Sequence, residues 1–302
     1  MSELIRKIRF DVEKKKKAVL TEVEKKGNPY HIAAEFVNLH AGEQFEYPIG
    51  YPRASSIYDA CMRMHVIGTK QNLIRKEWGD MKTALTFSIG DAIHFWAQNT
   101  PAIFGDKRRG WWKCLACGRT RYFGRPPKKP CKCGASEKAT VYQEHEIVLK
   151  KPWMVTGHVD MFFEPVAKLF RGAELKTISG DQFPQLLSPY IQHVWQIQTY
   201  LMAVQHDEKM PIRIDDQVGY VVYISKKQHS DLFPIKVFPV LRNNLIIQAI
   251  SDKLATYKQG LREYPHRLPQ PINECREKKF NCYRSKFCPT IVQCEGFFEK
   301  GV

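Results

Sequence analysis

The chain has 302 residues, 43% of them hydrophobic, enough for one substantial core with insertions or for two small domains. Its 47 basic residues outnumber 31 acidic ones, and the formal charge of +16 suits a polyanionic partner, nucleic acid before phospholipid, since no long basic amphipathic helix accompanies it. No run of roughly 18 or more apolar residues occurs, which excludes a membrane-spanning helix, and the N-terminal stretch lacks the apolar segment of a secretory signal.

Residues 1–54 read as a mixed, charged lead-in, with the lysines from Lys14 to Lys17 on a solvated helix face or a flexible arm. A helix is expected over 83–98, where Leu85, Phe87, Ile89, Ile93, Phe95 and Trp96 supply apolar mass and Pro101 ends it. Residues 111–134, rich in Cys, Lys, Arg, Gly and Pro, interrupt the pattern as an insertion would. Three strands follow, His145–Leu149, 153–163 and Leu169–Ile178, each carrying β-branched and aromatic residues. Ser188 as cap and Pro189 at the first position open a helix over 189–205. A short apolar strand over 218–224, a strand over 235–240 and a helix over 241–257 precede a cysteine-rich end. This order predicts an α/β fold, a mixed central sheet flanked by helices.

Two strands carry charge where apolar residues are expected. Asp160 follows a glycine-containing turn at Gly157, and Glu174 and Lys176 lie two apart in the next strand. Residues i and i+2 of a strand share a face, so Glu174 and Lys176 point together and Leu175 is buried behind them. If the strands are neighbours, Asp160 meets Glu174. Paired carboxylates repel unless a divalent cation lies between them, and oxygen donors suit Mg²⁺ or Mn²⁺. Lys176 beside such an ion can orient a water and stabilise charge on a phosphodiester. Glu144 and Glu146, on the preceding strand, could support the metal. In the helix that follows, His193, Gln196 and Tyr200 cluster on one side, with Ile191, Val194, Trp195, Leu201 and Met202 opposite.

Nine cysteines in a chain without a secretory signal point to metal rather than disulfides. Cys114-x2-Cys117-Gly and Cys131-x-Cys133-Gly have the form of a zinc ribbon, a structural Zn²⁺ site. Arg119, Arg121, Arg125, Lys128 and Lys129 around it make either a DNA-contacting knob or a solvated loop. Cys275, Cys282, Cys288 and Cys294 form a second cluster, with Cys61 far upstream.

The ordered set His94, Gly157-His158-Val159-Asp160, Glu174-Leu175-Lys176 and Gln196-x3-Tyr200 resembles the PD-(D/E)XK nuclease superfamily, and within it the RecB-like exonuclease group that includes CRISPR-associated and AddB-type iron–sulfur nucleases. Val159 stands where the superfamily's name has proline, a departure the RecB-like branch tolerates. The resemblance implies a restriction-endonuclease-like core within residues 55–302. His94, Asp160, Glu174 and the Leu175 carbonyl would hold the metal, Lys176 would be the catalytic lysine, and Gln196 and Tyr200 would contact DNA. It further implies a [4Fe–4S] cluster on Cys61, Cys282, Cys288 and Cys294, closing a long loop, with Cys275 as the alternative to Cys294 and a second zinc site as the competing reading. The implied activity is DNA hydrolysis in replication, recombination or repair, on single strands or free ends. The expected place is the cytoplasm of a bacterial or archaeal cell, or of a host if the protein is viral, alongside replication or recombination proteins. A non-catalytic nucleic-acid-binding or assembly protein and an RNA-processing nuclease are the other readings.

Overall fold

The computed structural model of the chain describes residues 44–78, 81–100, 103, 105–227, 234–278 and 288–299. The Lys14 to Lys17 run and Cys282 lie outside them. In chain order the elements are β1 (Gln44–Pro48), α1 (Met62–Lys70), β2 (Ile74–Trp78), α2 (Met81–Asn99), β3 (Arg108–Cys114), β4 (Thr120–Gly124), β5 (Thr140–Gln143), β6 (His145–Leu149), β7 (Val155–Val159), β8 (Met161–Val166), β9 (Leu169–Ile178), α3 (Ile191–Ala203), β10 (Val218–Ser225), β11 (Ile235–Leu241), α4 (Asn244–Glu263), α5 (Asn273–Glu277) and α6 (Ile291–Glu299). The chain divides into two units. The smaller comprises Met1–Tyr47 and Lys76–Ser88, whose described part holds most of β1, the end of β2 and the start of α2. The larger comprises Pro48–Arg75 and Ile89–Val302.

The centre of the larger unit is a mixed sheet in the order β11–β10–β9–β8–β3–β4, with β5 also paired to β3. Among the described strands of this sheet, only β9 and β10 run parallel, and α3 makes the crossover between them. Strand alternation sorts the side chains to the two faces. Met161, Phe163, Ala173, Leu175, Val222 and Ile224 face one way and pack with Ala97 and Ile93 of α2. Phe162, Ile178, Val221 and Tyr223 face the other way and pack with Ile197 and Tyr200 of α3, behind which lie Ile250 and Leu254 of α4. This is the expected α/β architecture of a mixed sheet between helices. Because β10 is covered on both faces, it reads as an unbroken apolar run rather than an alternating one.

Two strands change partners, and they do so side by side. Residues Val155–Val159 pair with β6, while Met161–Val166 pair with β9 and β3; the single residue between is Asp160. In the same way β5 pairs with β3 and β6 with β7, and the residue between is Glu144. The register His145↔Val159 continues to Glu144 opposite Asp160, and Met161↔Ala173 continues to Asp160 opposite Glu174. Three carboxylates therefore stand abreast where the sheet forks.

Tyr142 fastens the fork. Its hydroxyl donates to the Arg109 carbonyl at 3.2 Å and accepts from the Phe162 N–H at 3.1 Å. The ring lies over Gly110, where a Cβ would come within 2.3 Å of it. Gly157 has a related reason to be glycine: it lies inside β7 and not in a turn as expected, and a Cβ there would be 3.0 Å from both Ala54 and the Tyr200 ring.

Two helix starts differ from expectation. α3 begins at Ile191, with extended Tyr190 as its cap in place of Ser188, because the Tyr190 N–H donates to the Tyr223 hydroxyl at 2.9 Å and holds the chain out of the helix. α4 begins at Asn244, since Leu241 still belongs to β11 and the Asn243 side chain accepts from the Leu245 and Ile246 N–H groups.

Gly110→Ala should force the Tyr142 ring aside and lower stability by about 1–3 kcal/mol, the usual cost of overpacking, read as a fall in the denaturant midpoint at unchanged slope.

Candidate active site

The fork collects its side chains from five elements of the larger unit. His94 comes from α2, Glu144 and Asp160 from the strand breaks, Glu174 and Lys176 from β9, and Gln196 and Tyr200 from α3. Asp160 is 7% exposed and Glu174 3%. One ligand atom each from His94, Glu144 and Asp160 lie within 4.8 Å of one another, an arrangement that can hold a metal ion. His94 Nδ1 is 3.8 Å from Asp160 Oδ2. The Leu175 N–H donates to that same oxygen at 2.7 Å.

Glu174 and Lys176 share a face as the strand period requires, and Lys176 Nζ donates to Glu174 Oε1 at 2.7 Å. Leu175 between them is fully buried on the opposite face. Gln196 Nε2 donates to Glu174 Oε1 at 2.7 Å and to the Tyr200 hydroxyl at 2.7 Å. Tyr200 in turn donates to the His158 carbonyl at 2.6 Å. Gln196 and Tyr200, expected at DNA, are buried, and these bonds position Glu174 against β7. The polar side of α3 turns inward because the sheet carries Glu174 there, while Leu201 and Met202 on its other side are buried as well and Ile191 is exposed.

Gln98 was not among the expected site residues, and Glu144 was expected only as a support for the metal, together with Glu146, which lies exposed in β6. Gln98 Nε2 donates to Glu144 Oε1 at 2.9 Å and to the Asp160 carbonyl at 3.0 Å, tying α2 to both strand breaks. The sequence signal for Glu144 is faint, a carboxylate in Tyr142-Gln143-Glu144-His145-Glu146 where two strands meet without a turn.

The electrostatics follow from burial. Loss of solvent raises the Asp160 carboxyl well above its usual range, and the charges of Glu174 and Glu144 raise it further. Glu174 is raised by burial too, against the pull of Lys176. Burial opposes the charge of Lys176, but the surrounding carboxylates outweigh it and the amine is raised. His94 is lowered, by burial first and by Lys176 second, which leaves the neutral imidazole a metal needs. Two polar atoms here are buried without a hydrogen bond, Glu174 Oε2 and Gln196 Oε1. Such atoms are costly unless something absent from the protein chain meets them. A donor set of carboxylate oxygens and one imidazole fits Mg²⁺ or Mn²⁺.

The four cysteines of the ribbon converge on a second centre. Cys114 Sγ is 3.7 Å from Cys133 Sγ and Cys117 Sγ is 3.9 Å from Cys131 Sγ, all four lying within 4.8 Å of one another. A tetrahedron with Zn–S bonds of about 2.3 Å requires sulfurs about 3.8 Å apart, so the set fits zinc. Gly118 and Gly134, at φ of 70° and 89°, close the two knuckles, where each glycine N–H donates to the carbonyl of the knuckle's first cysteine. The ribbon hangs directly on the main sheet, because Arg108 and Arg109 of β3 pair with β8.

Of the second cysteine set, Cys61 caps α1, Cys275 lies in α5, Cys288 precedes α6 and Cys294 lies within it. Cys61, Cys288 and Cys294 are near enough for their charges to act on one another, but among the described residues they are not gathered as tightly as the ribbon sulfurs. Burial raises Cys61, and raises Cys294 to about 11. Arg63, 1% exposed, donates from Nε to Cys294 Sγ at 3.2 Å and otherwise to the Pro269 and Cys294 carbonyls. No carboxylate pairs with it among the described residues.

No protein-family model matches the sequence, and no curated protein matches it. Among solved structures, an alkaline exonuclease (LHK-Exo) from Laribacter hongkongensis aligns over 71% of this chain and 89% of its own, at 12% identity and a TM-score of 0.41. Its complex with dAMP aligns over the same shares at 12% identity and a TM-score of 0.44. SSO0001 aligns over 50% of this chain and 56% of its own, at 17% identity and a TM-score of 0.26. These are loose likenesses, and no helix of the described residues is long and apolar enough to cross a membrane.

Gln196→Ala should leave Glu174 in place but poorly oriented and weaken Mn²⁺ binding by about 10–100-fold in a calorimetric titration. Cys117→Ser should lose the zinc that a colorimetric chelator releases from the wild type, and the ribbon should become protease-sensitive.

Proposed function

We propose that this protein is a divalent-metal-dependent phosphodiester hydrolase of the PD-(D/E)XK, RecB-like kind that cuts DNA, with single strands or free ends as its substrate. The observation that carries the reading is the fork. Three carboxylates, the buried Asp160 and Glu174 and the half-buried Glu144, stand abreast with a lysine beside them, and one oxygen of Glu174 has no partner. Asp160, Glu144 and His94 would hold the ion, with Glu174 and the Leu175 carbonyl completing its shell. The bound ion supplies a water of lowered pKa and a positive charge on the phosphate.

The rest of the work belongs to the chain. Lys176 keeps its proton among the carboxylates, so its ammonium faces the same space and can hold the attacking water and the developing oxyanion. Gln196 and Tyr200 fix Glu174, and Gln98 fixes Glu144, without adding charge that would weaken the cation's hold. Burial of Asp160 and Glu174 keeps the electrostatics strong at the reacting phosphate.

The C-terminal cysteines are assigned the [4Fe–4S] cluster on Cys61, Cys282, Cys288 and Cys294. The support for Cys294 over Cys275 is Arg63. A guanidinium does not lose its proton in a protein, and a buried one calls for a negative partner. A metal-bound thiolate at Cys294 provides that partner and a neutral thiol does not. The cluster would act as a staple between α1 and the C-terminal segment.

Labelled single-stranded DNA with Mn²⁺ tests the hydrolase. Wild type should degrade it, Asp160→Ala and Lys176→Ala should lose at least about 10²-fold in rate, and Mn²⁺ should raise the melting temperature of the wild type but not of Asp160→Ala. Wild-type protein that binds DNA and RNA yet cuts neither, with any of Mg²⁺, Mn²⁺ or Zn²⁺, would leave a non-catalytic binder in its place.

A further inference from the structure

The zinc ribbon carries far more charge than a staple needs. Residues 113–138 hold eight lysines and arginines against one acid, Glu137. Lys113, Arg119, Lys128, Lys132 and Lys138 are exposed, and among the described residues none of their side chains has an ion-pair or hydrogen-bond partner. Elsewhere on the larger unit some exposed bases stand beside acids, Lys227 with Asp181, Arg267 with Glu263 and Lys278 with Glu274, while others such as Lys70, Lys151 and Lys209 stand apart from one another in the sequence. A merely solvated face mixes the two signs of charge. Here like charges are confined by four cysteines to a short loop pair, where they repel one another and raise the local positive potential.

The ribbon's place in the sheet gives this charge a direction. Trp111 of β3 is paired with Gln143, the neighbour of Glu144 at the fork, and Cys114 lies three residues further along the same strand. At about 3.3 Å per residue the ribbon begins about 10 Å from that point, close to three base-pair rises along a duplex axis at about 3.4 Å each. Trp111, Trp112 and Phe123 pack into the protein, and the exposed apolar side chain at the first knuckle is Leu115. With these three rings turned inward, the described ribbon surface presents charge for phosphates.

We propose that the zinc ribbon is a phosphate clamp, holding the DNA backbone about three or more nucleotides from the carboxylate fork through Arg119, Lys128, Lys132 and their neighbours. The inference deepens the hydrolase reading and rests on it for what lies at the fork. The clamp itself is tested by binding alone.

Fluorescence anisotropy of a labelled DNA oligonucleotide, single-stranded and as duplex, is measured across a salt series with Ca²⁺ as the added divalent ion. Three proteins are compared: wild type, the ribbon triple Arg119→Gln/Lys128→Gln/Lys132→Gln, and a control triple Lys70→Gln/Lys151→Gln/Lys209→Gln that removes equal charge from exposed positions elsewhere. The ribbon triple should keep its zinc and bind single strands roughly tenfold or more weakly at low salt. Its slope of log affinity against log salt should be shallower by about 2, from about 0.7 per phosphate contact on a single strand and about 0.9 on duplex. The larger loss identifies which form the clamp grips. The control triple should keep the wild-type slope. Equal losses in the two triples, or wild-type protein that binds neither form, overturns the clamp. Ribbon-dependent binding without any cleavage overturns the hydrolase reading and leaves the clamp standing.

Discussion

Asp160 faces a carboxylate on either side, and the rest of the larger unit can be understood from that constraint. The two registers that meet at the fork place Glu144 and Glu174 opposite it at neighbouring-strand spacing, with Asp160 and Glu174 buried and Glu144 half-buried. Two full charges about 5 Å apart at an effective dielectric of about 20 repel by roughly 3 kcal/mol, and the central group feels two such neighbours. One amine, Lys176, is close, and it is already bonded to Glu174. Burial and this repulsion both push Asp160 toward its protonated form, and burial pushes Glu174 the same way. A divalent cation would favour the ionised form instead.

What surrounds the carboxylates preserves this excess of negative charge. Gln98, Gln196 and the Leu175 N–H each fix an oxygen through a neutral donor. Stronger donors are near but are used elsewhere. Arg108 bonds the Gln98 carbonyl at the end of α2 and Arg109 pairs with Glu164, so both hold the sheet to its neighbours and leave the fork alone. Had either guanidinium reached the fork, it would have compensated the carboxylates permanently and displaced the role of a metal. In a chain with a charge of +16, keeping arginine away from three carboxylates is a specific feature of the packing.

Much of this was legible from local pattern. The limits of β9 were read as they stand, and period-two alternation put Glu174 and Lys176 on one face with Leu175 behind them. The ribbon followed from cysteine spacing. What local pattern could not supply was pairing: Glu144 joins the site because two strands exchange partners at adjacent residues, and no feature of Gln143-Glu144-His145 announces the exchange. The same limit explains Gly157. A glycine before an aspartate reads as a turn, whereas the strand runs straight through it and the glycine makes room for the Tyr200 ring, 43 residues away in sequence. For Gln196 and Tyr200 the helical spacing was correct, but which side of α3 met the sheet depended on α4 covering the other side.

The two cysteine groups differ in how much of their charge balance the protein chain provides. The ribbon's sulfurs already stand at the spacing a tetrahedral zinc demands, so the knuckles could take the metal without rearrangement. At Arg63 the imbalance is of the opposite sign to that of the fork. A buried cation faces a sulfur that burial keeps protonated, while at the fork buried carboxylates lack a cation. A thiol that gives up its proton to bind a metal becomes the anion that Arg63 lacks. On the proposed reading, bound metal would resolve both mismatches by opposite routes, in one by adding positive charge to carboxylates and in the other by creating a thiolate beside a fixed guanidinium. Replacing either set of ligands with apolar residues would have given a more stable unliganded chain. Their retention in the interior is the strongest physical reason to read this fold as one built around metals.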